Sequence, residues 1–278
     1  MTEVVPGLVS TIVPVFNRGE LVVDAVESVL AQTHQPVECI VVDDGSTDDT
    51  PRIVDELAAR EPDRVRVIHK PNSGPGCSRE QGREVARGEF IQYLDSDDLL
   101  APNKFEDQVA ALRADPEAAL CYGVTEYHRL GQEAKRSIFA TTDRPIDRIF
   151  PAFLTRRRWG TSSPLYRRSV TDRIGPWGWM WSEEDWEYDC RIGAFGSRVL
   201  HAGRVVSTQR GLPGQRLSQQ GRDDRRTLAS QSEARRLIHA HAREAGVAPA
   251  AAEMQHFMRS LFLLARDCGG AEIGRAHV

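Results

Sequence analysis

Short apolar runs alternating with stretches of helical spacing predict an α/β fold, a mostly parallel central sheet with flanking helices plus a C-terminal helical extension. Two further observations support that architecture. Asn17, Asp43, Asp44, Asp95 and Asp97 each follow the end of an apolar run, and ligand sites in parallel α/β sheets lie beyond the carboxyl ends of the strands. From Asp223 to Cys268 the chain is polar and alanine-rich with Leu237, Ile238, Phe257, Leu261 and Leu264 at helical spacing, which predicts two terminal helices.

The elements follow in order. Leu8 to Val15 reads as a buried strand ending in Pro14-Val15-Phe16-Asn17, and Val22, Val26, Val29 and Leu30 then recur as one helical face. Val37 to Val42 is a second strand, stopped by the turn-forming Asp43-Asp44-Gly45-Ser46-Thr47. Thr50 followed by Pro51 predicts an N-cap and first turn for a helix carrying Ile53, Val54 and Leu57. Val65 to Ile68 is a third strand, Cys77 to Arg87 a helix, and Phe90 to Leu94 a fourth strand running into Asp95. Strands joined by helices of this length imply right-handed crossovers. Beyond residue 115 the pattern loosens: Ala119 to His128 and Arg198 to Thr208 read as strands, and Glu184 to Ala194 as a helix.

Composition narrows the function classes. Hydrophobic and charged fractions of 40% and 27% are those of an ordinary globular protein, and a net charge of -4 gives no reason to expect nucleic acid as a partner. The basic clusters Arg156-Arg157-Arg158 and Arg222 to Arg226 read as solvated faces, with a lipid head group or phosphate-bearing acceptor as the alternative. Five scattered cysteines contain no CxxC pair, so neither zinc nor redox chemistry is suggested, and Cys39 reads as a small core residue. Unpaired thiols and no signal-peptide pattern place the expected location in the cytoplasm, with the inner face of the plasma membrane as a possible contact. Residues 272–278 match the translation of a sequencing-adapter oligonucleotide, so they are expected to be a non-native tail on a chain that extends further.

Asp95-Ser96-Asp97-Asp98 is the strongest chemical signal. Three carboxylates in four residues repel one another unless a cation offsets them, and oxygen-only donors suit a hard divalent ion, Mn2+ or Mg2+. Magnesium takes one or two protein carboxylates and fills its shell with water and substrate phosphates, so a diphosphate held through metal is the natural ligand. A solvated acidic turn capping the next helix is the plainer alternative.

The strings Pro14-Val15-Phe16-Asn17, VVDDGSTDDT (Val41 to Thr50), Asn72-Ser73-Gly74 and ARGEFIQYLDSDD (Ala86 to Asp98) resemble, in order and spacing, the family 2 glycosyltransferases. A weaker likeness follows in Thr161-Ser162-Ser163-Pro164-Leu165-Tyr166-Arg167-Arg168 and in Glu184-Asp185-Trp186-Glu187 with Arg191 and Gly196. The resemblance implies a GT-A (Rossmann-like) fold in which 1–115 binds the nucleotide-sugar, 116–212 binds the acceptor and carries catalysis, and 213–271 is the helical extension. It implies Pro14, Val15, Phe16 and Asn17 as the wall of the nucleotide pocket, Asp44 with Asp43 at base and ribose, and Asp97 as principal metal ligand. Asp95 would be a ribose or metal contact beside Ser96, and Arg79 would lie near the nucleotide. Ser78-Arg79-Glu80 departs from the family's Ala-Arg-Asn, and a carboxylate added near a diphosphate has to face away.

Asp185 is the candidate general base, with Glu184 second, because an acceptor hydroxyl must lose its proton as it attacks the anomeric carbon. The plainer reading of Glu183-Glu184-Asp185 is an acidic first turn favoured by the helix dipole. The resemblance implies inverting, metal-dependent transfer from a nucleotide-diphosphate donor, a UDP-sugar first, to a carbohydrate or lipid-linked acceptor in cell-envelope polysaccharide assembly. A sugar-nucleotide nucleotidyltransferase is the runner-up, although Phe16-Asn17-Arg18-Gly19 lacks its phosphate loop; a nucleotide-sugar-binding pseudoenzyme is the non-catalytic alternative.

Other features carry less. Gly74-Pro75-Gly76 falls short of a dinucleotide fingerprint because Arg79 stands at the third glycine position. Trp177, Trp179, Trp181 and Trp186 either face a sugar or pack a lid, His69 and His201 read as core or edge residues, and Arg210, Arg216 and Ser218 lie in a segment able to close over a diphosphate.

Overall fold

Val5–Val15 forms strand β1, buried on both faces over most of its length, and its side chains alternate between two cores. In this computed structural model, which describes residues 3–129, 137–211 and 225–270, Val9, Val13 and Val15 point to one face and Ile12 to the other. β2 (Val37–Asp43) repeats the alternation, with Val37, Cys39 and Val41 on the first face and Ile40 and Val42 on the second. The unbroken apolar run in each strand is the mark of a sheet covered on both sides.

The first face is covered by α1 (Gly19–Leu30), α2 (Thr50–Arg60) and α4 (Lys104–Ala114). The second is covered by α3 (Pro75–Val85), α6 (Glu184–Ala194) and the terminal helices α7 (Arg225–Glu244) and α8 (Ala252–Gly270). β3 (Val65–His69) and β4 (Gly88–Tyr93) flank β2 and β1, all in parallel. Gly82 lets α3 lie directly on β1, since a Cβ there would run into the Ile12 side chain.

Beyond β4 the sheet order departs from a plain parallel fold. The order is β3-β2-β1-β4-β8-β6-β9-β5, where β5 is Leu99–Leu100, β6 is Ala118–Arg129, β8 is Leu165–Arg167 and β9 is Arg198–Gly211; β7 (Ser137–Ile138) pairs with β6. β8 runs antiparallel to both β4 and β6 and joins the two halves of the sheet. Neither this three-residue strand nor the short α5 (Arg168–Ile174) that follows it has enough length for a periodic signal. α4 was also unassigned from sequence, although Phe105, Val109 and Leu112 form its buried stripe.

One local expectation is corrected. Thr50 is the first residue of α2 and does not cap it; its Oγ1 accepts the Arg18 backbone N–H at 3.0 Å, while Asp48 Oδ1 accepts the Thr50 N–H at 2.9 Å. The threonine thereby ties the β1–α1 turn to α2, where Gly19 already brings the two helices together. All five cysteines are free, with Cys39 buried in the core. Arg216, Ser218, Arg222 and the tail 272–278 lie outside the described residues.

Candidate active site

The strand ends open into a cleft of about 620 Å³. One wall is Pro14-Val15-Phe16-Asn17, with Phe16 44% exposed at the mouth. Asn17 takes a positive φ of 52° and is locked to the next turn: its N–H donates to Ser46 Oγ at 2.9 Å, and its Oδ1 accepts the Thr47 N–H at 2.8 Å. The two turns that follow β1 and β2 therefore form one rigid rim.

The paired aspartates at the end of β2 divide their work. Asp44 lines the cleft, and its carboxylate accepts the N–H groups of Ser73 at 2.9 Å and Gly74 at 2.8 Å together with the Lys70 ammonium. Asp43 is not part of the cleft lining. It turns inward, accepting the Ser46 N–H at 3.0 Å and sitting 3.0 Å from His69 Nδ1. The hydrogen bond to Asp43, and then that to Asp55, hold the His69 imidazole pKa above its ordinary value against a smaller opposing effect of burial.

The acidic run is likewise split. Asp95 and Asp97 reach the cleft, where Asp95 Oδ1 accepts from Arg79 Nη2 at 2.8 Å and Asp97 pairs with Arg18. Asp98 is turned inward: Oδ2 accepts Ser162 Oγ–H at 2.7 Å and Oδ1 accepts the Arg210 N–H at 3.3 Å. Asp98 borders the cleft with Asp95 and Asp97, but it is buried and its carboxylate is engaged by protein donors. Burial first, then the neighbouring Asp95 charge, raises the Asp97 carboxyl, and the same causes with Asp97 added push Asp98 well above the carboxylate range.

Asp95 and Asp97 offer only oxygen donors, with like charge crowded beside them, which fits a hard divalent cation better than a thiophilic one. Among the described residues no three His, Cys, Asp or Glu side chains gather into a full protein cage. A cation here would need water and ligand phosphate to complete its shell.

The opposite wall is the start of α6. Arg79, 3% exposed, bridges the two walls: its Nη2 donates to Asp95 and its Nη1 to Glu184 Oε1 at 2.6 Å. Its guanidinium lies 4.8 Å from the Trp177 ring, which stacks on Tyr188 at 3.9 Å. Glu80 faces away as its chemistry requires, paired with Arg83 and accepting the Trp177 N–H at 3.1 Å. Asp185 accepts from Arg157 Nη1, from Thr161 Oγ1 at 3.0 Å and from the Trp186 N–H at 2.8 Å. Arg157 Nε also donates at 3.0 Å to fully buried Asp189, which takes Trp159 Nε1–H at 2.9 Å and Tyr166 O–H at 2.7 Å.

The two candidate bases differ electrostatically. Burial raises both, but at Asp185 the charges of Arg157 and Arg79 outweigh it and hold the carboxyl below its ordinary value. At Glu184 burial, then the Asp185 charge, pushes the carboxyl up to about 7 despite Arg79. Asp185 keeps 24% of its side chain accessible, Glu184 only 8%.

Sequence reasoning missed Arg18 and Arg157, and read Arg157 as part of a solvated basic face. The legible signal for Arg157 was Asp185 and Asp189, four residues apart on one helix face and in need of a cation. The tryptophans separate: Trp181 lines the cleft, Trp177 is core, Trp179 is exposed, and Trp186 donates from Nε1 to Phe153 O at 3.1 Å. His201 stays off the site, with Nε2 2.8 Å from Thr142 O. Arg210 lines the cleft from strand β9 rather than from a loop, held by Asp97 O at 2.5 Å and Asp24 Oδ2 at 2.5 Å.

Residues 10–175 match the family model described as "Glycosyl transferase family 2". The chain is 34% identical over 166 residues to the "Putative glycosyltransferase EpsH" of Bacillus subtilis, a match covering 59% of this chain and 48% of EpsH, so it spans about half the length of that relative. In three dimensions it is similar to S. aureus TarS 1–349 in complex with UDP, with TM-score 0.70, 20% identity, and coverage of 96% of this chain and 75% of that one. It also resembles the mannosyltransferase PcManGT from Pyrobaculum calidifontis in complex with GDP-Man and Mn2+, with TM-score 0.61, 18% identity, and coverage of 96% and 76%. The parallel β3-β2-β1-β4 sheet, the antiparallel β8 insertion and the cleft at the strand ends are thus the GT-A fold, and the chain belongs to glycosyl transferase family 2.

Proposed function

We propose that this protein transfers a sugar, with inversion, from a nucleotide-diphosphate donor to a hydroxyl of a carbohydrate or lipid-linked acceptor. The observation that carries this reading is the cleft that sets Asp95 and Asp97 against Glu184 and Asp185, with Arg79 joined to both walls. The TarS complex with UDP and the PcManGT complex with GDP-Man and Mn2+ support a nucleotide-sugar donor, and a UDP-sugar is the first to try. Residues 1–115 would hold the nucleotide and 116–212 the acceptor.

Asp97 and Asp95 would hold a Mn2+ or Mg2+ ion, which when bound supplies positive charge to the departing diphosphate. Pro14 to Asn17, with Ser96 and Asp44, shape the nucleotide side. Asp44 acts there through the Ser73 and Gly74 amides that it fixes, and Asp43 by bracing the turn.

Asp185 is the base. It is ionised at neutral pH, partly accessible, and oriented by Arg157 and Thr161, so it can take the proton of an acceptor hydroxyl. The acceptor oxygen then bonds to the anomeric carbon as the bond to the diphosphate oxygen breaks on the opposite face, which inverts the centre. Glu184, largely buried and bound to Arg79, keeps that guanidinium between the two walls. Among the described residues no helix is long and apolar enough to cross a membrane. Action on a lipid-linked acceptor would place the protein at the inner face of the plasma membrane as a peripheral contact.

The test is calorimetric binding of UDP, GDP, dTDP and CDP with Mn2+ and then with EDTA, followed by turnover of the matching nucleotide-sugar. Tight binding of one nucleotide that collapses in EDTA is expected. Nucleotidyl transfer in place of sugar transfer would favour the nucleotidyltransferase, and binding without turnover the pseudoenzyme.

A further inference from the structure

Glu184 and Asp185, which line the cleft, open α6 outside the 10–175 stretch matched by the family model, and their support comes from the C-terminal extension. Glu183, immediately before the helix, has φ 60° and ψ 12°, a left-handed conformation that a side chain with a Cβ adopts only at a cost. Its carbonyl accepts the Glu187 N–H at 3.0 Å, so its backbone angles set the direction in which the first helical turn leaves the loop. Arg235 of α7 grips the Glu183 carboxylate with two hydrogen bonds, Nε to Oε2 at 2.8 Å and Nη2 to Oε1 at 2.7 Å, both side chains being less than one-fifth exposed. The same helix supplies Ser230 Oγ, which accepts the Trp181 N–H at 3.1 Å, and His241 Nε2, 3.0 Å from Glu187 Oε1. A two-point fork that is mostly desolvated is the kind of ion pair that fixes geometry, unlike a single exposed contact.

We propose that Arg235 is a positioning residue: by clamping Glu183 in its left-handed conformation, α7 aims Glu184 and Asp185 into the cleft, where Arg79 and Arg157 receive them. The inference rests on the cleft being a glycosyl-transfer site.

The test uses the full chain, with UDP binding by calorimetry, nucleoside-diphosphate release from UDP-N-acetylglucosamine and GDP-mannose, and hydrogen exchange at the Glu187 amide. Arg235→Ala is expected to lower kcat about tenfold, leave UDP affinity and KM for the donor unchanged, and speed exchange at Glu187. Arg235→Lys should recover part of the loss. Glu183→Gly, which occupies the left-handed region freely, should turn over faster than Glu183→Ala and make Arg235→Ala silent in its background. Equal losses in Glu183→Gly and Glu183→Ala, or a full additional loss on adding Arg235→Ala to Glu183→Gly, would overturn the clamp. No turnover by the parent chain would sink the glycosyl-transfer reading instead. Unchanged Glu187 exchange in Arg235→Ala would then overturn the clamp independently.

Discussion

Arg79 shows how much one buried cation holds in this cleft. With its guanidinium nearly sealed from solvent and three carboxylates around it, the side chain is tolerable only as part of the network. Removing it would leave Glu184 and Asp95 facing each other unpaired. Arg79→Ala is therefore expected to lose about 3–5 kcal/mol of stability, read as a lowered urea midpoint. Arg79→Lys should recover little, since a lysine cannot fork between two walls. The contrast between Glu184 and Asp185 gives a pH test of the base. A base must be deprotonated, so activity rises with pH through its pKa. With Asp185 held below its ordinary value, kcat should stay flat through neutrality and fall only on the acid side of the usual carboxylate range. A limb centred near 7 would point to Glu184 instead. Asp185→Asn should cost about 10²–10⁴-fold in kcat with UDP binding retained.

Among the elements, the turn that opens α3 is the most constrained. Gly74 sits at φ 93°, donates its N–H to Asp44 Oδ2, and leaves a Cβ position only 3.2 Å from the Trp181 ring. Gly74→Ala is expected to strain this turn by about 1–3 kcal/mol and, on the proposed reading, to weaken UDP binding, because Asp44 and Trp181 both line the cleft. Wild-type UDP affinity in that variant would sink the assignment. The elements that sequence located well share a physical cause. β1, β2 and α6 are long, and their periodicity is set by burial on known faces. Of the elements that escaped, β8 and α5 are short, and β8 draws its hydrogen bonds from strands far away in the chain, whereas α4 is as long as α6 and carries a buried stripe of Phe105, Val109 and Leu112. Thr50 differs for a related reason: its hydroxyl is expected to serve its own helix, but it accepts the Arg18 N–H, which arrives from the β1–α1 turn.

For the whole molecule, the C-terminal helices are part of the core rather than an appendage resting on it. Ile238 and Ala242 of α7 and Met254 and Phe257 of α8 join the same cluster as Ile12, Tyr93 and Tyr188. Deleting residues 225–278 would strip that cover and also free Glu183. The truncated chain is expected to aggregate or lose its cooperative thermal transition, as followed by light scattering and circular dichroism. A soluble product with the parent's sharp transition would show the cover to be dispensable.

The sequence by itself determined the strand and helix alternation, the placement of polar residues beyond the strand ends, and the acidic residues on both sides of the cleft. These follow from local rules: apolar period, turn chemistry, and carboxylates too dense to stand without a cation. Only the tertiary structure decided what each of those carboxylates does. Asp43 and Asp98 turned inward, Asp44 became an anchor for backbone amides, and the basic residue that faces Asp185 came from a stretch read as surface. The pairing of Arg157 with Asp185, of Arg79 with Asp95 and Glu184, and of Arg235 with Glu183 spans 16 to 105 residues of chain. Partnerships at that separation leave no local periodicity, because they form only once packing has brought distant strands and helices to the same end of the sheet.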